Sequence, residues 1–550
     1  MKATELLILS TLITLVTASQ TASQSLLNQT WHQSKKVFIS SHYGGYSHAK
    51  PIFQIGTALK ERGHEVAFVS YDLFTDLAKP WGFERISIGQ EPVPLAELKV
   101  LMKEVTLKAE VEIHTVVDTM WSMSYKSSYL QLRKVFAKEK PDLVMCDVFN
   151  FGCVDAAYHL NIPFTVQIPS LGILHSTSGY VSSSLYISPV STEDAGILDR
   201  FQSNIINQVR HLWKEWKFAQ KANEDRISVG GVARKEFGFN NIDKGIIFAN
   251  SFFGVESPKH LPPNVHLVGP LMSREYPPLT PELSSFLGER QKVVYIAFGT
   301  VANLDTASVE KILRSVLHLL DDGVIDGVIW PLTQTSEDDF PSEMQINKST
   351  ISIRKVLNNE HRDIRILKFA PQFSILSHPN TVLFVSHGGL DSSNEALLTG
   401  TKVLSLPVFG DHFYNAGNLE ASGVSILMNL RTFTSAEMIE KTTQLVEDKD
   451  GKFEKGVQHM QILAHINSKR INHAADVAEH LIYTKSKDDP TKRLYQTPES
   501  RMSFWKAHNY DLYLISLAIL VGLSWMVISF VIWFINVLNI TTQPAKVKKL

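Results

Sequence analysis

Three histidines near the start of the chain could each carry a proton transfer near neutral pH, where imidazole titrates. His48 stands in Tyr46-Ser47-His48 at the opening of a helical pattern, His42 lies on the exit from an apolar run, and His64 sits in the turn Gly63-His64. A histidine so placed can equally be structural, and the local pattern does not choose among the three. Asp147 follows a buried-strand pattern, where a carboxylate can fix an imidazole tautomer and stabilise imidazolium as it forms. It can equally cap the helix that follows. Asp155, inside that helix, is expected to be an ordinary helical residue.

A second group lies in the other half of the chain. His387-Gly388-Gly389 closes an apolar strand pattern and opens a helical one. Free backbone N–H groups and the helix dipole favour a diphosphate there, and glycine lets it approach the backbone. His387 and the Ser392 hydroxyl add donors, and Gly299-Thr300, at the end of another strand pattern, can close the cradle from the opposite side. Glu395 lies two helical turns beyond His387, so both project toward one rim.

The elements that must hold these groups follow from periodicity. An apolar strand over 36–41, a helix over 48–62 and a strand over 65–70 make a βαβ unit. A second unit reads as a strand over 142–145, a helix over 152–160 and a strand over 164–168. Between Phe252 and Leu287 seven prolines interrupt the periodicity, which marks a linker. Beyond it come strands at 292–298, 327–330 and 381–385 and a helix over 306–320, while the polar, charge-mixed stretch 335–359 reads as a surface insertion without chemistry. The fold class is therefore α/β, with two doubly wound domains facing across a cleft where ligands of such folds bind. The expected organisation is a signal at 1–18, an N-terminal domain at 19–265, a linker at 266–290, a C-terminal domain at 291–490, a membrane-proximal segment at 491–511, a membrane span at 512–535 and a tail at 536–550.

Composition agrees with this plan. With 550 residues, 44% hydrophobic, 20% charged and a formal net charge of −1, the chain is a well-packed globular body without a surface that seeks nucleic acid. Lys2, an apolar run from Leu6 to Val16 and small residues to Ala18 predict a secretory signal. Leu512 to Ile535 is apolar and uncharged, long enough for a hydrocarbon core of ~30 Å. Lys546, Lys548 and Lys549 after the span put the tail in the cytosol and the body in the lumen, a single-pass type I topology. Asn28 and Asn347 are then luminal glycosylation sequons. Cys146 and Cys153 are the only cysteines, so disulfides are not expected to hold the fold together, and no metal-ligand spacing is present. Segment 95–129, with Met102, Met120, Trp121 and Met123, suits a lipophilic ligand, although the same composition also builds cores.

Phe369-Ala370-Pro371-Gln372, Ser386-His387-Gly388-Gly389, Glu395 and Pro407-Val408-Phe409-Gly410-Asp411-His412 together resemble the signature of the UDP-glycosyltransferase family, which includes the UDP-glucuronosyltransferases. Weaker resemblance extends through both domains to Asn509-Tyr510-Asp511, and signal, anchor and tail fit the family's animal branch. The resemblance implies a GT-B fold and an inverting transfer of a hexose or hexuronic acid from a UDP-sugar to a hydroxyl of a small lipophilic acceptor. Register with the family selects His48 as the base and Asp147 as its orienting partner. Phe369 and Gln372 would frame the uracil, Glu395 would hold the ribose, and Asp411 and His412 would meet the sugar. Phe369 stands where tryptophan is usual. His412 replaces the usual glutamine and is similar to galactose-using members, so glucuronate, glucose and galactose stay open as donors. No metal and no permanently bound cofactor are expected. Lys546 and Lys548 resemble a dilysine retrieval signal of the endoplasmic reticulum, or merely stop translocation. A non-catalytic, membrane-tethered binder on the same scaffold is the alternative, and homo-oligomerisation stays open.

Overall fold

The structure, a computed structural model, describes residues 33–43, 45–94, 97, 98, 100, 113–174, 192–234, 238, 240–300, 302–333, 337, 340–347, 349–484, 495, 497 and 502–541. The expected signal at 1–18, the Asn28 sequon, Met102 and the tail lysines lie outside the described residues.

The first half begins with β1 (Lys36–Ser40), α1 (Gly45–Glu61) and β2 (Glu65–Ser70), then β3 (Glu84–Ser87) and the long α2 (Ile113–Glu139). It continues through β4 (Leu143–Asp147), α3 (Phe151–His159), β5 (Phe164–Ile168), α4 (Asn207–Ser228), β6 (Ile246–Ala249) and β7 (Val265–Leu267). These strands form one parallel sheet of order β3-β2-β1-β4-β5-β6-β7. Strand order reverses between β1 and β4, which pair with Ser40 opposite Cys146. In an open parallel sheet the crevice at such a reversal is where ligands bind. Strands buried on both faces read as unbroken apolar runs, which is why β2 and β5 have the bounds that the sequence predicts.

The second half contains α5 (Pro281–Gly288), β8 (Val293–Ala297), α6 (Thr306–Asp321), β9 (Gly327–Pro331), a hairpin of β10 (Glu343–Ile346) and β11 (Ser349–Ser352), and α7 (Ile353–Leu357). Then follow β12 (Ile364–Leu367), α8 (Gln372–Leu376), β13 (Thr381–Ser386), α9 (Leu390–Thr399), β14 (Val403–Ser405), α10 (His412–Ala421), β15 (Ser425–Leu427), α11 (Ser435–Glu447), α12 (Lys452–Asn467) and α13 (Ile471–Tyr483). Its parallel sheet has the order β12-β9-β8-β13-β14-β15, with the reversal between β8 and β13, where Ser386 pairs with Ala297. Each sheet therefore offers one reversal point.

Two expectations are corrected. The 335–359 stretch is not a mere surface insertion, because Phe340, Met344, Ile346, Ile353 and Val356 are buried in the core over α6 and β9. The alternation of one apolar and one polar residue along β10 carried that signal. Asp155 is not ordinary. It is 5% exposed, accepts from Tyr125 Oη, Arg226 Nε and Asn241 Nδ2, and so serves as the buried counter-charge that lets Arg226 sit in the core between α2, α3 and α4. Cys146 and Cys153 form a disulfide that staples the end of β4 to the first turn of α3, a local link that agrees with the expectation that disulfides do not hold the fold together. It closes a local loop only, beside Asp147. The proline-rich stretch contains β7 at the edge of the first sheet and α5, whose Leu283, Phe286 and Leu287 pack into the second half.

The halves are docked by named contacts. On α13, Glu479 accepts from Arg62 and His64, and Tyr414 on α10 donates to Glu256 while its ring covers Gly172. By itself, α14 (Tyr510–Thr541) carries a 29-residue stretch, Tyr510–Leu538, with a mean hydropathy of 2.5, long and apolar enough to cross a bilayer.

Candidate active site

Both reversal points open into one cavity of about 520 Å³ between the C-terminal edges of the two sheets. On one wall, the loop after β1 turns into α1, which brings His48 to the rim. Its Nδ1 lies 2.7 Å from Asp147 Oδ1 at the end of β4. Asp147 is 2% exposed, and its other oxygen accepts the Phe149 N–H at 3.1 Å. Its alternative role as a helix cap is taken by Asn150, whose side chain accepts from Cys153 N at 3.1 Å. Asp147 is thereby left to orient the imidazole, whose Nε2 is the nitrogen free to serve the cavity. Burial disfavours the charged ring, but the Asp147 carboxylate outweighs it, helped by Asp411 and Asp391 across the cavity, and His48 is raised to about 8.

The two rival histidines separate by environment. His42 is buried against Tyr43 and Tyr71, lowered to about 4 by that burial, and is not among the residues that line the cavity. His64 is held by Glu479 Oε1 at 3.0 Å and by the Lys35 N–H, where it joins α13 to the first half.

On the opposite wall, β13 ends in His387, and Gly388 turns the chain at φ +77° into α9. The imidazole of His387 is sandwiched between two glycines. A Cβ on Gly389 would fall 2.3 Å from its Nε2 and one on Gly299, which follows β8 at φ +71°, 2.8 Å away. Burial and the neighbouring His412 push His387 down to about 3, so it offers the cavity a neutral ring. His412 opens α10, lies edge-on to His387 with ring centroids 4.6 Å apart, and is likewise lowered to about 3 by burial. Both Nδ1 atoms are buried without a hydrogen-bond partner. Gly389→Ala is expected to displace His387 and abolish nucleotide binding while the protein still folds, which calorimetry with UDP beside a thermal melt would check.

Glu395 on α9 is 7% exposed and accepts from Gln372 Nε2 at 2.8 Å. The same amide donates to Ser392 Oγ at 3.1 Å, so Gln372, Ser392 and Glu395 form one polar cluster. Phe369, at the mouth, is 73% exposed and presents its ring to the cavity. Asp411 accepts from Asn415 Nδ2 at 2.9 Å, and burial raises its carboxyl. Thr300 lines the wall beside Gly299, whose carbonyl accepts from Thr333 Oγ1. The fold thus brings together His48, Asp147, Gly299, Thr300, Phe369, Gln372, His387, Gly389, Ser392, Glu395, Asp411 and His412 around a single cavity.

Sequence reasoning missed Lys50, Asp391 and Tyr276, which also line it. The signal for Lys50 was a lone cation in the apolar face of a helix, followed by Pro51-Ile52-Phe53. Of the residues proposed for a lipophilic ligand, Met120 reaches the cavity beside Val116, Tyr43 and Phe149, whereas Trp121 is core, stacked on Tyr125. Among the described residues no group of three or more His, Cys, Asp or Glu could hold a metal ion.

Comparison with known proteins agrees with this geometry. The family model described as UDP-glucoronosyl and UDP-glucosyl transferase matches residues 39–467. A UDP-glycosyltransferase of Talaromyces amestolkiae is 30% identical over 516 residues, covering 88% of this chain and 95% of that protein. The UDP-glucuronosyltransferase 3A1 of Bos taurus is 23% identical over 439 residues, covering 77% of each. Among solved structures, the glycotransferase of kitacinnamycin superposes with a TM-score of 0.57 at 13% identity, over 82% of this chain and all of that one. A UDP-glucosyltransferase from Polygonum tinctorium gives 0.54 at 17% over the same shares. These neighbours share the GT-B fold of two parallel-sheet domains, and the family match spans both halves and the cavity between them, so the chain belongs to the UDP-glucuronosyl and UDP-glucosyl transferase family.

Proposed function

We propose that this protein is an inverting, membrane-anchored glycosyltransferase that moves a hexose or hexuronic acid from a UDP-sugar to a hydroxyl of a small lipophilic acceptor. The observation that carries the reading is the His48–Asp147 pair facing the glycine-flanked His387 turn across one cavity. His48 Nε2 takes the acceptor proton while the oxygen attacks the anomeric carbon opposite the leaving UDP. Asp147 holds the tautomer and stabilises the imidazolium. The α9 terminus, with its free N–H groups, and the neutral His387 ring receive the charge that grows on the diphosphate. No covalent intermediate on the protein is needed, and no metal enters the scheme. The apolar patch of Tyr43, Val116, Met120 and Phe149 around His48 suits a lipophilic acceptor.

The test incubates the membrane-bound protein with UDP-glucuronate, UDP-glucose and UDP-galactose and with phenolic, steroid and sphingolipid acceptors, following UDP release and glycoside mass, with and without a chelator. Glycoside formed equally in both conditions supports the reading. Ligand-induced stabilisation without product points to a binder, and loss on chelation with recovery by a divalent ion overturns metal independence. His412 stands beside His387 where the sugar would lie, and its replacement by glutamine is expected to change the ranking of the three donors several-fold in kcat/KM. An unchanged ranking would remove His412 from donor choice.

We place the body in the lumen of the endoplasmic reticulum, anchored by α14. Asn347 lies in the exposed turn between β10 and β11, a position open to glycan transfer. A mobility shift on endoglycosidase treatment, lost in Asn347→Gln, is the expected result.

A further inference from the structure

Lys50 is the one lysine or arginine that lines the cavity among the described residues, and it comes from the half opposite the nucleotide wall. It stands two residues beyond His48 on α1, is 6% exposed, and crosses the cavity to α9. There its Nζ lies 3.6 Å from Asp391 Oδ2 and 3.6 Å from Glu395 Oε1. It also sits 5.7 Å from the ring centroid of Tyr276, which is stacked on Phe373 at 3.8 Å. The two carboxylates are four residues apart and therefore share one face of the helix.

This arrangement poses an electrostatic problem for a nucleotide donor. An acid in the first turn suits the helix dipole, but Asp391 stands where a diphosphate would approach the α9 terminus, and a carboxylate repels it. A buried lysine stabilises two acids only while it stays between them. When ribose hydroxyls bond Glu395, one of the two anions that hold Lys50 is satisfied by neutral donors, and the ammonium can turn toward the phosphates with Asp391 as its tether. Lysine suits that move, being a compact charge on a flexible stem with three donors.

Building on the nucleotide-site reading above, we propose that Lys50 is the diphosphate's cationic ligand, supplied by the acceptor-side half and parked on Asp391 and Glu395 until the nucleotide enters. The same contact already joins the helix that bears His48 to the helix of the nucleotide wall before any donor is bound.

The experiment measures UDP and uridine affinities by calorimetry on the full chain in detergent micelles, for the native protein and three variants. Lys50→Gln is expected to weaken UDP about tenfold or more, the size of one charge-assisted hydrogen bond, while uridine affinity changes less than about twofold. Lys50→Arg keeps most of the UDP affinity. Asp391→Asn placed in the Lys50→Gln background recovers most of the loss, because the uncompensated carboxylate that repels the phosphate is gone. It also keeps the test decisive should Lys50→Gln alone fail to fold, since both charges of the pair are then removed together. Equal losses for UDP and uridine, or no loss for either, overturn the proposal and leave Lys50 as a brace between the halves. A double variant that binds UDP no better than Lys50→Gln overturns it too. A native protein that binds neither UDP nor uridine overturns the nucleotide-site reading itself, and the Lys50 proposal with it.

Discussion

His48→Ala is expected to lower kcat for sugar transfer by about 10²–10⁴-fold, the span of a positioned general base, while UDP binds as in the native protein. The separation of the two readouts follows from geometry. His48 belongs to α1 and faces the cavity from the first half, and its hydrogen bond is to Asp147, not to the glycine turn of the second half. Removing the ring leaves Asp147 with its Phe149 N–H bond, so the loop after β4 keeps its shape. Single-turnover kinetics with calorimetry of UDP on the same preparation would check this. Equal turnover in native and variant proteins would return the base to another residue, and a parallel loss of UDP binding would make His48 structural.

The parts of this site that are legible in sequence are those where chemistry is written into local pattern. His387-Gly388-Gly389 at a strand end needs glycine for a reason that the pattern itself carries, since a strand that turns at once into a helix needs a residue free to take positive φ, as Gly388 does at +77°. Tertiary packing adds a second reason, because Gly389 and Gly299 must both lack a Cβ for the His387 ring to fit between them. The choice of His48 over His42 and His64 is not legible from pattern alone. His48 lies in the first turn of α1 and the other two flank that helix, and only tertiary contacts distinguish a ring bonded to Asp147 from one packed between tyrosines and one tied to Glu479. Lys50 illustrates the opposite failure. In sequence it interrupts an apolar helix face and invites dismissal, whereas its partners lie more than 300 residues away on α9 and appear only when the halves meet.

Fold legibility follows burial. Strands covered on both faces are bounded by their apolar runs to within a residue or two, whereas the two reversal points appear only in the pairing of β1 with β4 and of β8 with β13, which the sequence order of the βαβ units does not determine. The 335–359 stretch misleads because β10 and β11 bury only one face. Its apolar residues are diluted by the polar ones that alternate with them, and a charged composition masks a genuine core contribution. Asp155 misleads for a related reason, since its partners Tyr125, Arg226 and Asn241 come from three distant segments.

Asp147→Asn tests the pair through pH. In the native protein His48 must be neutral to accept a proton, and its value of about 8 means that kcat/KM rises with pH and levels off above about 8. Asparagine removes the charge that raises the imidazole and leaves burial, which lowers it, so the rising limb moves to lower pH. The plateau also falls, by roughly 10²–10⁴-fold, because the amide can hold the wrong tautomer. Stability gives an independent readout with a defined sign. A histidine raised from 6.5 to about 8 on folding contributes stability that is fully present below about pH 6.5 and lost as pH rises through 8. That contribution is at most about 2 kcal/mol, and it is absent once Asp147 is neutral. The difference in unfolding free energy between native and Asp147→Asn proteins should therefore be largest at pH 6 and narrow by about this amount by pH 9. A difference independent of pH, together with an unmoved rate profile, would mean that Asp147 braces the β4 loop through the Phe149 N–H and does not set the charge of His48.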